Sequence, residues 1–102
     1  MRSANSRGIA YCYQGKLDKA ISDYSDAIRL APNYDAAYNN RGYAYYKQRE
    51  FAKAIGDYNE AIQLDPNFAI AYKNRGDAYR RAGDQNKGNA DFLRVRQLEA
   101  GL

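Results

Sequence analysis

The sequence contains no histidine and no tryptophan, and its only cysteine is Cys12. Without histidine there is no imidazole to act as a general acid or base, to activate a nucleophile, or to complete a zinc site with cysteine. A single cysteine also excludes an intramolecular disulfide bond. These absences favour a protein that is not an enzyme, that needs no metal or cofactor, and that works in a reducing, cytoplasmic environment.

Long apolar runs are also missing, because no run of apolar residues exceeds five even when tyrosine is counted as apolar. A membrane-spanning helix needs about 20 predominantly apolar residues. Residues 1–5 lack the apolar core that a signal peptide requires. The sequence therefore predicts neither a membrane span nor a secretion signal.

Alanine and tyrosine supply most of the apolar surface, with 17 alanines and 11 tyrosines among 102 residues. Small side chains let helices approach each other closely, and tyrosine rings fill the gaps between them. The length suits a single domain. Thin layers of closely packed helices are expected rather than a thick core of leucine and valine.

The chain repeats itself with a period of 34 residues. Residues 1–34 and 35–68 share 16 identities, and residues 35–68 and 69–102 share 11. Within each unit, apolar or small residues recur every three or four positions in two blocks, which predicts two amphipathic helices. Chain breakers separate the blocks or the units: Gly15, Pro32, Pro66 and Gly83. One domain, 1–102, is predicted to contain three stacked helical hairpins, since one hairpin cannot bury its apolar face alone.

Three details of the hairpins can be predicted from the same pattern. Glycine recurs in each first helix, at Gly8, Gly42 and Gly76, on the face that meets the second helix. A glycine lets that helix approach until a small residue of it, such as Ala54, touches the glycine. Asp35 and Asn67 have the side chains of N-caps and are predicted to cap the next first helices.

The pattern of the middle unit resembles the tetratricopeptide repeat (TPR), which has an aromatic, Gly, Tyr, Ala, aromatic, Ala, Pro skeleton. The residues that carry this resemblance are Tyr38, Gly42, Tyr45, Ala54, Tyr58, Ala61 and Pro66. The resemblance covers the whole chain. It implies an all-α solenoid of three hairpins, or six helices, in a right-handed superhelix whose concave face binds a peptide or a partner helix.

An arginine of the first helix and an aspartate of the second recur sixteen positions apart in every unit. The pairs are Arg7 and Asp23, Arg41 and Asp57, and Arg75 and Asp91. They could be a row of catalytic or ligand-binding charges, or ion pairs that join the two helices of each hairpin. A threefold recurrence follows the architecture rather than a single site, so we expect structural ion pairs.

A second face of the first helices is not needed for helix pairing. In TPR arrays the corresponding face lines the concave groove, and side-chain amides there can hold a peptide backbone while tyrosines supply apolar contact. The alternative is a solvated polar face. The predicted groove residues are Asn5, Ser6, Ile9, Tyr13, Asn39, Asn40, Tyr43, Tyr46, Lys47, Lys73, Asn74, Asp77, Arg80 and Arg81.

One specific form of peptide binding can be compared with the sequence. Chaperone-binding TPR domains clamp a C-terminal carboxylate with lysine, asparagine and arginine side chains from three successive units. The matching positions here hold Asn5, Ile9, Asn40, Ile70 and Asn74. Only Asn40 agrees with that pattern, so a clamp of this type is not expected.

Charge suggests the chemistry of the partner. The three units carry net charges of +2, −1 and +3, and Lys47, Lys73, Arg80 and Arg81 gather towards one end of the predicted groove. This arrangement favours a protein or peptide partner with acidic residues. Nucleic acid is a weaker alternative, in which tyrosines would stack on bases beside arginines.

Self-assembly is a second alternative. The middle unit has Arg49 where the outer units have Gly15 and Gly83. A turn that needs positive φ is strained at arginine. The middle hairpin is therefore predicted to be able to open into one continuous helix and exchange halves with a second chain, giving a homo-oligomer.

Overall fold

The computed structural model describes residues 3–101, which form an array measuring 38 × 27 × 19 Å. The described residues form six α-helices and no strands, which confirms the all-α prediction. The helices are α1 (Ala4–Tyr13), α2 (Leu17–Leu30), α3 (Asp35–Lys47), α4 (Phe51–Leu64), α5 (Ala69–Arg81) and α6 (Gln85–Glu99). None of them is both long and apolar enough to cross a bilayer.

The helices pair in chain order. Helix α1 packs on α2, α3 on α4 and α5 on α6, and successive hairpins are joined by the packing of α2 on α3 and of α4 on α5. Helix α3 also touches both α1 and α5, so the three first helices lie side by side. This order makes a solenoid of three hairpins, in which each hairpin contacts only its neighbours.

The core consists of alanines around two tyrosines. Ala20, Ala54 and Ala78 have no exposed surface, and Tyr24 and Tyr58 are the largest fully buried side chains. Alanine lets the helix axes approach, and the two rings fill the space that remains. The prediction of thin, closely packed layers is therefore confirmed.

Glycine is required in the first helices because an aromatic ring lies directly above it. A Cβ atom on Gly42 would stand 2.7 Å from Cε1 of Tyr58 and 3.2 Å from the carbonyl oxygen of Ala54. At Gly8 the ring is that of Tyr24, at 2.6 Å. The predicted contact of Gly42 with Ala54 is present, but the closest approach is made by the ring four positions after Ala54, which the sequence pattern did not predict.

The helix starts also differ from expectation. Helix α3 already includes Asp35, and its N-cap is Tyr34, while Phe68 is the N-cap of α5. The Asp35 carboxylate accepts a hydrogen bond from the neighbouring Ala36 amide at 2.7 Å instead of capping the helix. The predictions of Asp35 and Asn67 as N-caps were wrong, because α3 begins one residue earlier and α5 one residue later than those caps would require.

Each hairpin turns through a residue with positive φ. The outer hairpins use Gly15, with φ of 76°, and Gly83, with φ of 95°. The middle hairpin is closed in the same way, but its turn residue is Arg49, with φ of 65°. The predicted strain at this arginine is therefore present.

Candidate peptide-binding groove

All three arginine–aspartate pairs form, and each is bidentate. In the middle hairpin, Nε of Arg41 donates to Oδ2 of Asp57 and Nη2 donates to Oδ1, both at 2.8 Å. The Arg7–Asp23 pair has distances of 2.8 and 2.7 Å. Two hydrogen bonds with fixed geometry orient the second helix against the first.

These pairs lie between helices rather than in an open site. The aspartates are buried, and hydrogen bonds from Arg7 hold the pKa of Asp23 below its usual range. The hydrogen bond to Asp57 raises the pKa of Arg41. A buried carboxylate that is fully used by its partner is not available for acid–base chemistry.

A ladder of asparagines joins the first helices on the groove side. Nδ2 of Asn40 donates to Oδ1 of Asn5 at 3.1 Å, and Nδ2 of Asn74 donates to Oδ1 of Asn39 at 3.2 Å. Asn5 and Asn39 are each only 7% exposed. Both residues were predicted to line the groove. That prediction is corrected, because their side chains are buried between the first helices. Asn40 and Asn74 are half-buried and keep their amide oxygens available.

The largest share of the predicted residues surrounds one cavity of about 430 Å³ between the first and second hairpins, here called the first cleft. Ile9 and Tyr43, on neighbouring first helices, contribute apolar surface that is 36% and 40% exposed. The complete lining is Ile9, Cys12, Tyr13, Tyr24, Asn40, Tyr43 and Lys47. The volume lies in the range of small-ligand pockets.

One side of the first cleft is cationic. The Nζ atom of Lys47 stands 5.8 Å from the ring centroid of Tyr43. Burial raises the pKa of the Cys12 thiol, while the nearby Lys47 charge opposes that rise. Cys12 is therefore a neutral thiol at pH 7. It forms part of the cleft wall and does not act as a nucleophile.

A second cleft of about 350 Å³ follows one hairpin further along, lined by Tyr46, Asp77, Arg80, Arg81 and Gln85. The rings of Tyr43 and Tyr46 stack with centroids 6.3 Å apart and an interplanar angle of 16°. This tyrosine pair forms a continuous apolar wall from the first cleft into the second. Two guanidinium groups against one carboxylate make the second cleft attractive to anions.

The remaining predicted residues lie outside the two clefts. Ser6 is exposed, and its hydroxyl accepts a hydrogen bond from Ser3 at 3.0 Å. Lys73 lines a separate, largely apolar trough with Ile70 and Phe92 at the edge formed by α5 and α6. The structure thus brings together Ile9, Tyr13, Asn40, Tyr43 and Lys47 in one cleft and Tyr46, Asp77, Arg80 and Arg81 in the other.

Two lining residues that belong to second helices were missed. Tyr24 reaches the first cleft from α2, and Gln85 reaches the second from the start of α6. The sequence signal for Tyr24 was Gly8, because the absence of a side chain there lets the Tyr24 ring lie directly against α1. Gln85 carried no comparable signal.

The chemistry available in the groove is that of binding. Residues 3–101 contain no group of three or more His, Cys, Asp and Glu side chains that could hold a metal ion. Tyrosine, isoleucine, amide and cationic side chains line the two clefts, which suits a segment with both apolar and acidic side chains.

Sequence profiles agree with the hairpin pattern. A profile described as tetratricopeptide repeat matches residues 36–68, one described as TPR repeat matches residues 8–49, and a further tetratricopeptide repeat profile matches residues 57–88. Among curated protein sequences, none matches the chain significantly.

Solved structures decide the family. The first TPR domain of Spaghetti (RPAP3), bound to the HSP90 peptide SRMEEVD, is 31% identical, with a TM-score of 0.93 and coverage of 97% of this chain and 79% of its own. The chain belongs to the tetratricopeptide repeat family. The second TPR domain of human RPAP3, in complex with the HSP70 peptide SGPTIEEVD, is 32% identical, with a TM-score of 0.92 and coverage of 98% and 83%. The TPR2B domain of yeast Sti1, in a pHsp70 complex, is 29% identical, with a TM-score of 0.93 and coverage of 97% and 79%.

Proposed function

We propose that this TPR domain is a protein-interaction adaptor that holds an acidic peptide segment of a partner in its concave groove. The observation that carries the proposal is the pair of adjoining clefts, one with apolar walls and the other with two arginines, joined by Tyr43 and Tyr46. Structures of similar TPR domains with peptides rich in glutamate support it. Binding, rather than catalysis, is the role that these side chains suit.

The ligand is held differently from a chaperone tail. Two of the positions that would carry the clamp hold Ile9 and Ile70, which are 36% and 47% exposed. Isoleucine gives a carboxylate neither a charge nor a hydrogen bond. The cationic side chains that line the two clefts are Lys47, Arg80 and Arg81, and none of them occupies a clamp position. Acidic side chains rather than a terminal carboxylate are therefore the recognised groups.

The affinity follows from the size of the groove. A flexible segment loses conformational entropy when it docks, and two clefts provide limited contact area. A dissociation constant on the order of micromolar is expected. Tyr43 lines the first cleft and stacks on Tyr46 of the second, with 40% of its surface exposed, so its loss should weaken binding most.

The test is a library of acidic peptides screened against the wild type and Tyr43→Ala. Truncation of an anchor costs about 2 kcal/mol, or roughly thirtyfold in affinity. Leu93→Ala is the control, because Leu93 is an exposed apolar residue of α6 outside both clefts. Hits that bind Tyr43→Ala as tightly as the wild type would remove the groove as the binding surface.

Nucleic acid is tested in the same assay with a single-stranded oligonucleotide. A nucleic-acid site would lose affinity steeply with salt, with a log–log slope close to the number of phosphates contacted. The second cleft sets Asp77 beside its two arginines. We therefore expect weak oligonucleotide binding that acidic peptide displaces.

Self-assembly is a second candidate function, and the positive φ of Arg49 is the observation that favours it. If the middle hairpin opens into one continuous helix to relieve this strain, two chains can exchange the halves that follow the turn, α4 to α6. Light scattering after size-exclusion chromatography tests the idea. A strictly monomeric wild type at millimolar concentration would eliminate it.

A further inference from the structure

We infer that the first cleft is an anchor site for one aromatic side chain of the ligand, and that a carboxylate about three residues along an extended segment enters the second cleft. This inference rests on the proposed function and specifies which ligand side chains, at which spacing, the groove binds. It follows from the lining of the first cleft, from the wall that joins the two clefts, and from the position of the cations.

The first cleft suits a ring better than a small aliphatic side chain. Ile9 and Tyr43 present exposed apolar surface on the neighbouring helices α1 and α3, and the buried ring of Tyr24 also lines the cleft. Aromatic side chains bury about 150–250 Å² each and prefer offset or edge-on packing against another ring. A volume of about 430 Å³ leaves room for such a ring together with part of its backbone.

The polar groups of the first cleft are placed for the ligand backbone. One N–H of Asn40 Nδ2 donates to Asn5, which fixes the orientation of the carboxamide, and the amide oxygen can accept a hydrogen bond from a peptide N–H. Lys47, beside the Tyr43 ring, adds a positive charge where the segment leaves the cleft. An acidic residue next to the anchor is therefore favoured over a basic one.

The spacing comes from the geometry of the array. The two clefts belong to successive hairpins and share the wall of Tyr43 and Tyr46. Neighbouring packed helices lie about 8–10 Å apart, and an extended chain advances about 3.3 Å per residue. An aromatic residue and an acidic residue three positions apart therefore match the two clefts. A helical ligand, which rises about 1.5 Å per residue, would need about six.

The second cleft has the charge for a carboxylate but not for a run of phosphates. Arg80 and Arg81 face one carboxylate of the protein, Asp77, within the same lining. One acidic side chain of the ligand balances the excess charge. A chain of phosphates would meet Asp77 at close range without a further cation to offset it.

Cys12 provides a direct report of cleft occupancy. It is the only cysteine of the chain and forms part of the lining of the first cleft. Its thiol is half-buried, so a maleimide can reach it when the cleft is empty. A ring seated in the cleft would block that access, whereas a ligand bound elsewhere would not.

The experiment uses fluorescent peptides that are acetylated and amidated, so that no terminal charge contributes. Each carries one phenylalanine and one glutamate, separated by one to seven positions in a Gly-Ser background, and a matched set has alanine in place of phenylalanine. Anisotropy measures affinity, and mass spectrometry measures the rate of Cys12 alkylation. We expect the tightest binding at a separation of three, at least tenfold weaker binding without phenylalanine, and at least fivefold slower alkylation at saturation.

Two isoleucine variants give a matched comparison. Both Ile9 and Ile70 are exposed on first helices, but only Ile9 lines the first cleft. Ile9→Ser is expected to weaken binding of the best peptide at least fivefold, while Ile70→Ser leaves it within twofold. Equal effects of the two substitutions would overturn the anchor site.

The outcomes separate this inference from the proposed function. One outcome is that acidic peptides bind with the same affinity whether they carry phenylalanine or alanine, and that Cys12 is alkylated as fast as in the unbound protein. The anchor site would then be wrong, but the proposed adaptor function would be retained. A maximum at a separation of six would overturn the extended ligand. If no peptide of either set or of the acidic library binds, the proposed function fails together with the inference.

Discussion

The first and second hairpins contain the same arginine–aspartate pair, but only the second encloses it. The hydrogen-bond distances agree to within 0.1 Å, yet the Arg7 side chain is 57% exposed and that of Arg41 is 22% exposed. Two neighbours make the difference. Arg41 lies 5.8 Å from the ring centroid of Tyr38, where the first unit has Ala4, and it donates to Ser25 of the preceding hairpin at 3.2 Å.

The third hairpin shows that the surroundings, rather than the pair itself, set the burial. Arg75 is 20% exposed, lies 5.5 Å from the ring centroid of Tyr72, and donates to Asn59 of the preceding hairpin at 2.9 Å. An arginine with an aromatic neighbour and a preceding unit is thus enclosed, and one without them is not. We therefore expect the same repeated ion pair to contribute different amounts to the free energy of unfolding in different units.

The largest expected effect comes from removing the arginine of the enclosed pair. Arg41→Leu leaves the buried carboxylate of Asp57 without a partner, and breaking a buried pair costs about 3 kcal/mol or more. Arg7→Leu is the comparison. Asp23 is as buried as Asp57, but its partner Arg7 is 57% exposed, so removing that side chain lets water reach Asp23 and a smaller loss is expected. Urea unfolding of the two variants measures both losses.

A double-mutant cycle isolates the pair in the second hairpin. Arg41→Leu, Asp57→Ala and the double variant are compared with the wild type, and a coupling energy of at least 1 kcal/mol is expected. Equal losses at Arg41 and Arg7, or coupling near zero in the cycle, would show that enclosure does not determine the strength of the pair.

The next effect concerns two glycines of the middle hairpin in contrasting surroundings. Gly42→Ala places a Cβ atom 2.7 Å from the Tyr58 ring, which is fixed by the core, so a loss of about 1–3 kcal/mol is expected from overpacking. Gly56→Ala in α4 meets no atom within 4 Å and should instead gain up to about 1 kcal/mol from helix propensity. Thermal unfolding of both variants decides, and two losses of similar size would contradict the packing argument.

A smaller effect distinguishes the turn of the middle hairpin from the outer turns. Arg49→Gly should stabilise the protein by about 1 kcal/mol, because glycine adopts positive φ without the steric cost that a side chain adds. Gly83→Ala is the reverse substitution in the third hairpin and should lose a similar amount. Denaturant midpoints measure both changes.

The oligomeric state of the same variants tests hairpin exchange. If the middle hairpin of the wild type opens, Arg49→Gly should shift any dimer towards monomer. An unchanged dimer fraction would mean that assembly does not use this turn.

The architecture could be predicted from the sequence because it depends on repeated local patterns. The period of 34 residues, the glycines and the recurring charges indicated three hairpins and the partners of their ion pairs. The helix starts were less predictable, since Tyr34 and Phe68 occupy the N-cap positions without a capping side chain. N-cap preferences favour short polar side chains, and neither of these residues has one.

The groove could be predicted only in part. Asn39 and Asn40 are adjacent in sequence, and which of them faces the groove depends on how neighbouring hairpins rotate against each other. The structure buries Asn39 and leaves Asn40 at the first cleft. Tyr24 was missed for a related reason, since its contribution depends on how closely α2 passes Gly8. Inter-hairpin angles are a property of packing that a periodic pattern does not contain.

The smallest effect at neutral pH concerns the aromatic residue beneath the first-helix glycine. Tyr58 is fully buried, and its hydroxyl has no hydrogen-bond partner among residues 3–101, whereas the third hairpin has Phe92 at this position. Tyr58→Phe should stabilise the protein by about 0.5 kcal/mol at pH 7, because removing a buried unsatisfied hydroxyl outweighs the small void that it leaves. Urea unfolding at pH 7 measures this gain.

Alkaline pH should enlarge that difference. Burial raises the pKa of Tyr58 well above its usual range, so between about pH 10 and the raised value the unfolded chain loses this proton and the folded chain keeps it. The wild type therefore loses stability there as pH rises, with a contribution from Tyr58 that approaches about 1.4 kcal/mol per pH unit, and the phenylalanine variant is free of that contribution. At pH 11 the advantage of Tyr58→Phe should exceed its value at pH 7 by about 1.4 kcal/mol. A variant that is less stable than the wild type at pH 7, with a difference that does not grow by pH 11, would mean that the hydroxyl is satisfied in solution.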